Sequence, residues 1–142
     1  MRKDVLLTIR SEQRYEGQET DVIELVTEGV LEDLGDNNWR LVYEESEITG
    51  LRGVTTTFDI QPGRVVLTRT GELESEMIFE ENVRHESLYR LDFGALMLVV
   101  CARRIGVELT GEGGTLEISY GIQIEQSQAG VVTYHIDVKP TA

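Results

Sequence analysis

The stretch TLEISYGIQIE, residues 115–125, reads with a period of two. Leu116, Ile118, Tyr120, Ile122 and Ile124 point one way, and Glu117, Ser119, Gly121, Gln123 and Glu125 point the other. Successive side chains of an extended strand alternate between its faces, so this pattern predicts a half-buried antiparallel strand. VVTYHIDV (131–138) repeats it, with Val132, Tyr134, Ile136 and Val138 opposite Thr133, His135 and Asp137. Near the start, Val5, Leu7 and Ile9 alternate with Asp4, Thr8 and Arg10.

The same period predicts strands near 3–10, 21–31, 38–46, 53–60, 64–70, 73–80, 87–92, 95–104, 115–126 and 131–138. Turn signals separate them: 35–38, Pro62-Gly63, Gly71, Glu81-Asn82, Gly111 to Gly114 and Ala129-Gly130. EENVRHESLY (80–89) is the best candidate for a single helical turn, and no longer amphipathic helix is visible. Strands joined by short connections pair with their neighbours. A meander of this many strands splits into a sandwich or closes, and closure removes exposed edges. The expectation is an all-β chain, one domain over 1–142, folded as an antiparallel meander barrel of about eight to ten strands.

The length of 142 residues suits one domain. With 13 basic and 26 acidic residues, the net charge is −13. That field repels a phosphate backbone and an anionic lipid surface, so neither nucleic acid nor membrane is expected as a partner. Self-repulsion for solubility is the plain reading of the acidity; a basic partner or cationic ligand is the sharper one. Cys101 is the single cysteine and lies in the apolar run LMLVVCA, which predicts a buried, inert thiol and a cytoplasmic location. The first residues, MRKDVLLTIRSEQ, lack an apolar core long enough for a signal peptide. In GALMLVVCA both faces are apolar, which predicts a strand buried on both sides or an outer face that meets another subunit and leaves a homo-oligomer open.

Four segments in order, YEESEITGLRGVTTTFDI (43–60), LTRTGELESEMIFE (67–80), YRLDFGALMLVV (89–100) and LEISYGIQI (116–124), resemble the YwiB-like family of bacterial proteins of unknown function. The similarity runs from Val22 to Val138. It implies a calycin-like, lipocalin-type barrel, and it implies no catalytic residues. The chain departs from the family pattern at RLDFGA, in the turn at Leu91-Asp92.

In the strand from 38, Trp39, Leu41, Tyr43, Glu45 and Glu47 share one face. If that face is interior, the glutamates need a partner, because a lone buried carboxylate is costly. Val65, Leu67 and Arg69 also alternate, which offers Arg69 as the partner of Glu45 or Glu47 beside Tyr43. Such a cluster could anchor the polar end of a ligand; it could equally be a structural ion pair or a glutamate row past the rim. Met77 and Phe79 read as core and as candidate cavity wall. Thr55, Thr56 and Thr57 are explained as β-branched strand formers.

The remaining motifs carry less. TGEGGT (110–115) lacks the lysine and the helix start of a phosphate loop. Two histidines and one cysteine make no sensible zinc ligand set, no loop has a calcium-binding pattern, and there is no G-x-S-x-G. No cofactor, metal or catalytic group is therefore expected. The expected role is binding a small, mostly apolar molecule inside the barrel at Tyr43, Glu45, Glu47, Arg69, Met77 and Phe79. The alternative is a protein-interaction module with a packed interior and an acidic outer surface; a barrel enzyme comes third.

Overall fold

A computed structural model describes residues 2–15, 17–46, 52–91, 94–124 and 128–141. Ten strands follow one another: β1 (Arg2–Tyr15), β2 (Asp21–Gly35), β3 (Asn38–Glu44), β4 (Val54–Gln61), β5 (Arg64–Gly71), β6 (Glu74–Phe79), β7 (Arg84–Leu91), β8 (Gly94–Thr110), β9 (Gly113–Ile124) and β10 (Gln128–Pro140). Each pairs antiparallel with the next, and β1 pairs with β10 from Val5 opposite Pro140 to Tyr15 opposite Gly130, so the sheet closes as a barrel. Glu47 and the turn residue Asp92 lie outside the described residues.

The alternating residues become the two barrel faces. Val5, Leu7, Leu41, Phe58, Leu67, Phe79, Val100, Leu116, Ile118 and Ile136 are fully or almost fully buried in one core. Their outward neighbours are exposed or half-buried. Burying one face makes register strict, because a slip of one residue would turn every apolar side chain outward.

Three sequence expectations need correction. The segment 80–89, the best candidate for a helical turn, holds no helix, and from Arg84 the chain is strand β7 (Arg84–Leu91). The direction change falls at Asn82, whose φ of 64° lets the chain reverse between Glu80 and Val83. Cys101 is not buried: it is half-buried on the outward face of β8, while Leu98, Val100 and Ala102 point in. Of the two readings of GALMLVVCA, burial on both sides does not hold: its outer face is apolar and Met97 on that face is exposed.

Several strands run further than apolar alternation indicates, β1 and β8 the furthest. β1 continues through Ser11, Gln13 and Tyr15 rather than stopping at Arg10. β8 continues to Thr110 through a bulge between Ala102 and Arg104. A bulge inserts one extra residue and shifts the phase. Before it the inward residues are Leu98, Val100 and Ala102; beyond it Ile105 and Leu109 pack against the core.

The β8–β9 hairpin closes tightly. Gly114 has φ near +140°, and a Cβ there would overlap the carbonyl oxygen of Glu108. Gly114→Ala should therefore destabilise the barrel by more than about 1 kcal/mol, measured by urea unfolding. Gly17→Ala, at a positive-φ position with open space around it, should cost less.

Candidate functional site

The interior has two unlike halves. At the end holding the 36–37, 62–63 and 111–112 turns, large apolar side chains fill it. Toward the opposite end, where β1, β3, β5, β7 and β9 finish, the inward positions turn polar or aromatic and the packing opens. A cavity of about 340 Å³ lies there. Its apolar wall includes Ile9, Leu25, Met77, Leu98, Ile122 and Val132.

A polar row crosses the wall. Antiparallel pairing sets Tyr43 opposite Thr56, Thr56 opposite Arg69, Arg69 opposite Ser75 and Ser75 opposite Tyr89. The row spans five strands, β3 to β7, and every member points inward. Thr56 donates a hydrogen bond to Glu45 Oε2 at 2.5 Å. Arg69 Nε lies 3.9 Å from the same oxygen, with the two side chains 8% and 3% exposed. That spacing is electrostatic contact beyond hydrogen-bond distance. Arg69 Nη2 donates instead to the Tyr134 hydroxyl at 3.0 Å, across the barrel on β10. Burial opposes the Arg69 charge, but Tyr134 and Glu45 hold its pKa above the ordinary value, so the guanidinium stays charged.

All five tyrosines of the chain, Tyr15, Tyr43, Tyr89, Tyr120 and Tyr134, line this cavity. The phenylalanines Phe58 and Phe79 support them from the packed half. Phe58 stacks on Tyr43 at 6.5 Å between ring centroids and meets the Tyr134 ring at 78°; Phe79 lies 4.6 Å from Tyr120. Tyr120 in turn stacks on Tyr134 at 6.4 Å. A tyrosine offers an apolar ring and a polar tip, which suits a wall that must bury area and still meet polar groups. Burial pushes the pKa of Tyr15, Tyr43, Tyr89 and Tyr120 up, so these hydroxyls stay protonated donors.

Of the residues expected from sequence, the structure brings together Tyr43, Glu45, Arg69 and Met77 at the cavity. Phe79 is not part of the lining; it is fully buried beneath Tyr120. Glu47 lies outside the described residues. Sequence reasoning passed over Thr56, Ser11 and the tyrosines of β1, β7, β9 and β10. Thr56 had a signal: in Val54, Thr56, Phe58 and Ile60 it holds an inward position among apolar residues.

The protein is thus a closed ten-stranded meander barrel with an end cavity walled by tyrosines. The chain belongs to the family described as "Domain of unknown function (DUF1934)", whose profile matches residues 7–136. Among solved structures it is similar to the crystal structure of the ywiB protein from Bacillus subtilis, at 21% identity and a TM-score of 0.76, over 96% of this chain and 92% of that one. At that identity the likeness shows the barrel fold. No curated protein sequence matches the chain.

Two expectations test the site. Removing one partner of a buried pair strands the other charge, so Arg69→Met should cost about 3–5 kcal/mol in urea unfolding. Glu45→Gln should also destabilise, and the double variant should be more stable than the sum of the singles implies. Additive effects would show that the two side chains are uncoupled. Alkaline stability tests the tyrosines. Their folded pKa values lie above the ordinary 10.0, so the folded state holds protons that the unfolded chain releases. Their contribution is complete below about pH 10 and is lost as pH rises further. Tyr120→Phe should flatten that decline, followed by urea midpoint against pH.

Proposed function

We propose that this protein binds a small, mostly apolar molecule in the tyrosine-walled end of the barrel, in the manner of a calycin-type carrier. The observation that supports this reading most is the cavity itself. At about 340 Å³ it falls within the range of small-ligand sites, and its wall is apolar with a few convergent polar groups. Tyr43, Glu45, Arg69 and Met77 are the proposed binding residues, joined by Thr56, acting through Glu45, and by Tyr120 and Tyr134. The cavity supports ligand binding over the alternative, an interaction module with a packed interior and an acidic outer surface. The net charge of −13 argues against nucleic acid or an anionic membrane as partner. Among the described residues no helix is long and apolar enough to cross a membrane. The single cysteine supports a cytoplasmic setting.

Native mass spectrometry of the protein purified without added ligand should show a co-purifying small molecule. N-phenyl-1-naphthylamine should bind saturably with one site per chain. Leu98→Trp, which fills the cavity from β8, should abolish that binding while the far-UV circular dichroism stays that of a β protein. Absence of both a co-purifying molecule and saturable probe binding would overturn the reading, as would probe binding unchanged by Leu98→Trp.

A further inference from the structure

The proposed site has a charge balance and a hydrogen-bond imbalance that together restrict its ligand. We infer that the cavity takes an uncharged ring compound that presents a carbonyl-type acceptor to Arg69. This rests on the small-molecule reading above and narrows it to a chemical class.

Among the described residues lining the cavity, Glu45 and Arg69 are the charged ones, and they offset each other. A carboxylate ligand would face Glu45 in a setting of low dielectric, and an ammonium ligand would face Arg69. Either leaves one buried charge uncompensated, which is costly. A neutral ligand disturbs neither.

Hydrogen bonding decides what the neutral ligand carries. Arg69 Nε is buried and has no hydrogen-bond partner among the described residues, since the Glu45 oxygen at 3.9 Å is too far. Ser11 Oγ, on another cavity-lining side chain, is likewise buried and unpartnered. Both residues are more than nine-tenths buried. A guanidinium only donates, so the group that completes it must accept. The remaining polar groups of the wall are the hydroxyls of Tyr15, Tyr43, Tyr89, Tyr120 and Tyr134, which carry protons, and the Gln13 amide, which both donates and accepts. Glu45 is the one carboxylate acceptor among the described lining residues. The wall is rich in donors, and a carbonyl oxygen fits that surplus without bringing charge.

Shape supplies the ring. Five tyrosine rings give flat apolar faces, and planar groups pack against such faces better than flexible chains do. The volume corresponds to on the order of ten waters, room for a compound of one or two fused rings.

The test titrates the full chain with four probes of one size: 2-acetylnaphthalene, 2-isopropylnaphthalene, 2-naphthoate and 2-(aminomethyl)naphthalene, followed by naphthalene fluorescence. The ketone should bind best, by about tenfold or more over each of the others, the size expected for one hydrogen bond from a charged donor. Glu45→Gln keeps an acceptor for Thr56 and leaves Arg69 as the surplus charge, so preference should move to 2-naphthoate. Arg69→Met should erase the advantage of the ketone over the hydrocarbon. If that variant does not fold, the wild-type ranking and the Glu45→Gln shift decide. Tightest wild-type binding by either ion, equal binding of ketone and hydrocarbon, or no shift in Glu45→Gln would each overturn the inference while leaving small-molecule binding intact. No saturable binding of any probe would overturn both.

Discussion

Closure of β1 onto β10 is the constraint on which everything else here depends. The eleven-pair ladder from Val5–Pro140 to Tyr15–Gly130 joins the two ends of the chain. Without it the sheet would keep two open edges, with unpaired backbone groups along both. With it, the inward faces of all ten strands look into one space. Residues more than sixty positions apart, such as Arg69 and Tyr134, then come within hydrogen-bond distance. Register propagates around the ring, so the polar row from Tyr43 to Tyr89 forms only because each hairpin between β3 and β7 keeps its phase.

Within that frame the barrel divides its work. The packed half, with Leu7, Leu41, Phe58, Leu67, Phe79, Leu116 and Ile136 almost fully out of water, supplies hydrophobic stabilisation at roughly 25 cal/mol per Å² buried. The tyrosine half gives some of that up. A buried Arg–Glu pair at 3.9 Å with an unpartnered Nε is a poor device for stability, because the loss of hydration is only partly offset. The fold tolerates such a cluster because the opposite end is so well filled. Phe58 and Phe79 connect the halves: each belongs to the core and supports a cavity tyrosine.

Much of the fold was legible in the sequence because a strand's period of two needs no tertiary information. The ten strands, their order and the inward faces of β3, β5, β9 and β10 follow from alternation and turn residues. Where reading fell short, the alternation was broken for a physical reason. β1 was cut at Arg10 because Ser11 and Gln13 are polar, yet they point inward to line a cavity. β8 was cut near Arg103-Arg104 because a bulge there shifts its phase. Cys101 was placed inside because apolar neighbours on both faces hid which face was which. Arg69 is legible as the partner of Glu45 or Glu47, since all three continue apolar series, and the structure sets it beside Glu45.

From alternation alone the sequence indicates an antiparallel meander and offers Arg69 as an inward partner for Glu45 or Glu47. It could not show that all five tyrosines meet around one cavity. Tyr15, Tyr43, Tyr89, Tyr120 and Tyr134 sit on five different strands, and no local pattern places their inward positions at the same end. Nor could it show that Phe79 would close the floor behind Tyr120 instead of lining the wall. Only the closed barrel decided these, because its circumference and register set how far the side chains reach across. The space left between them depends on every strand at once.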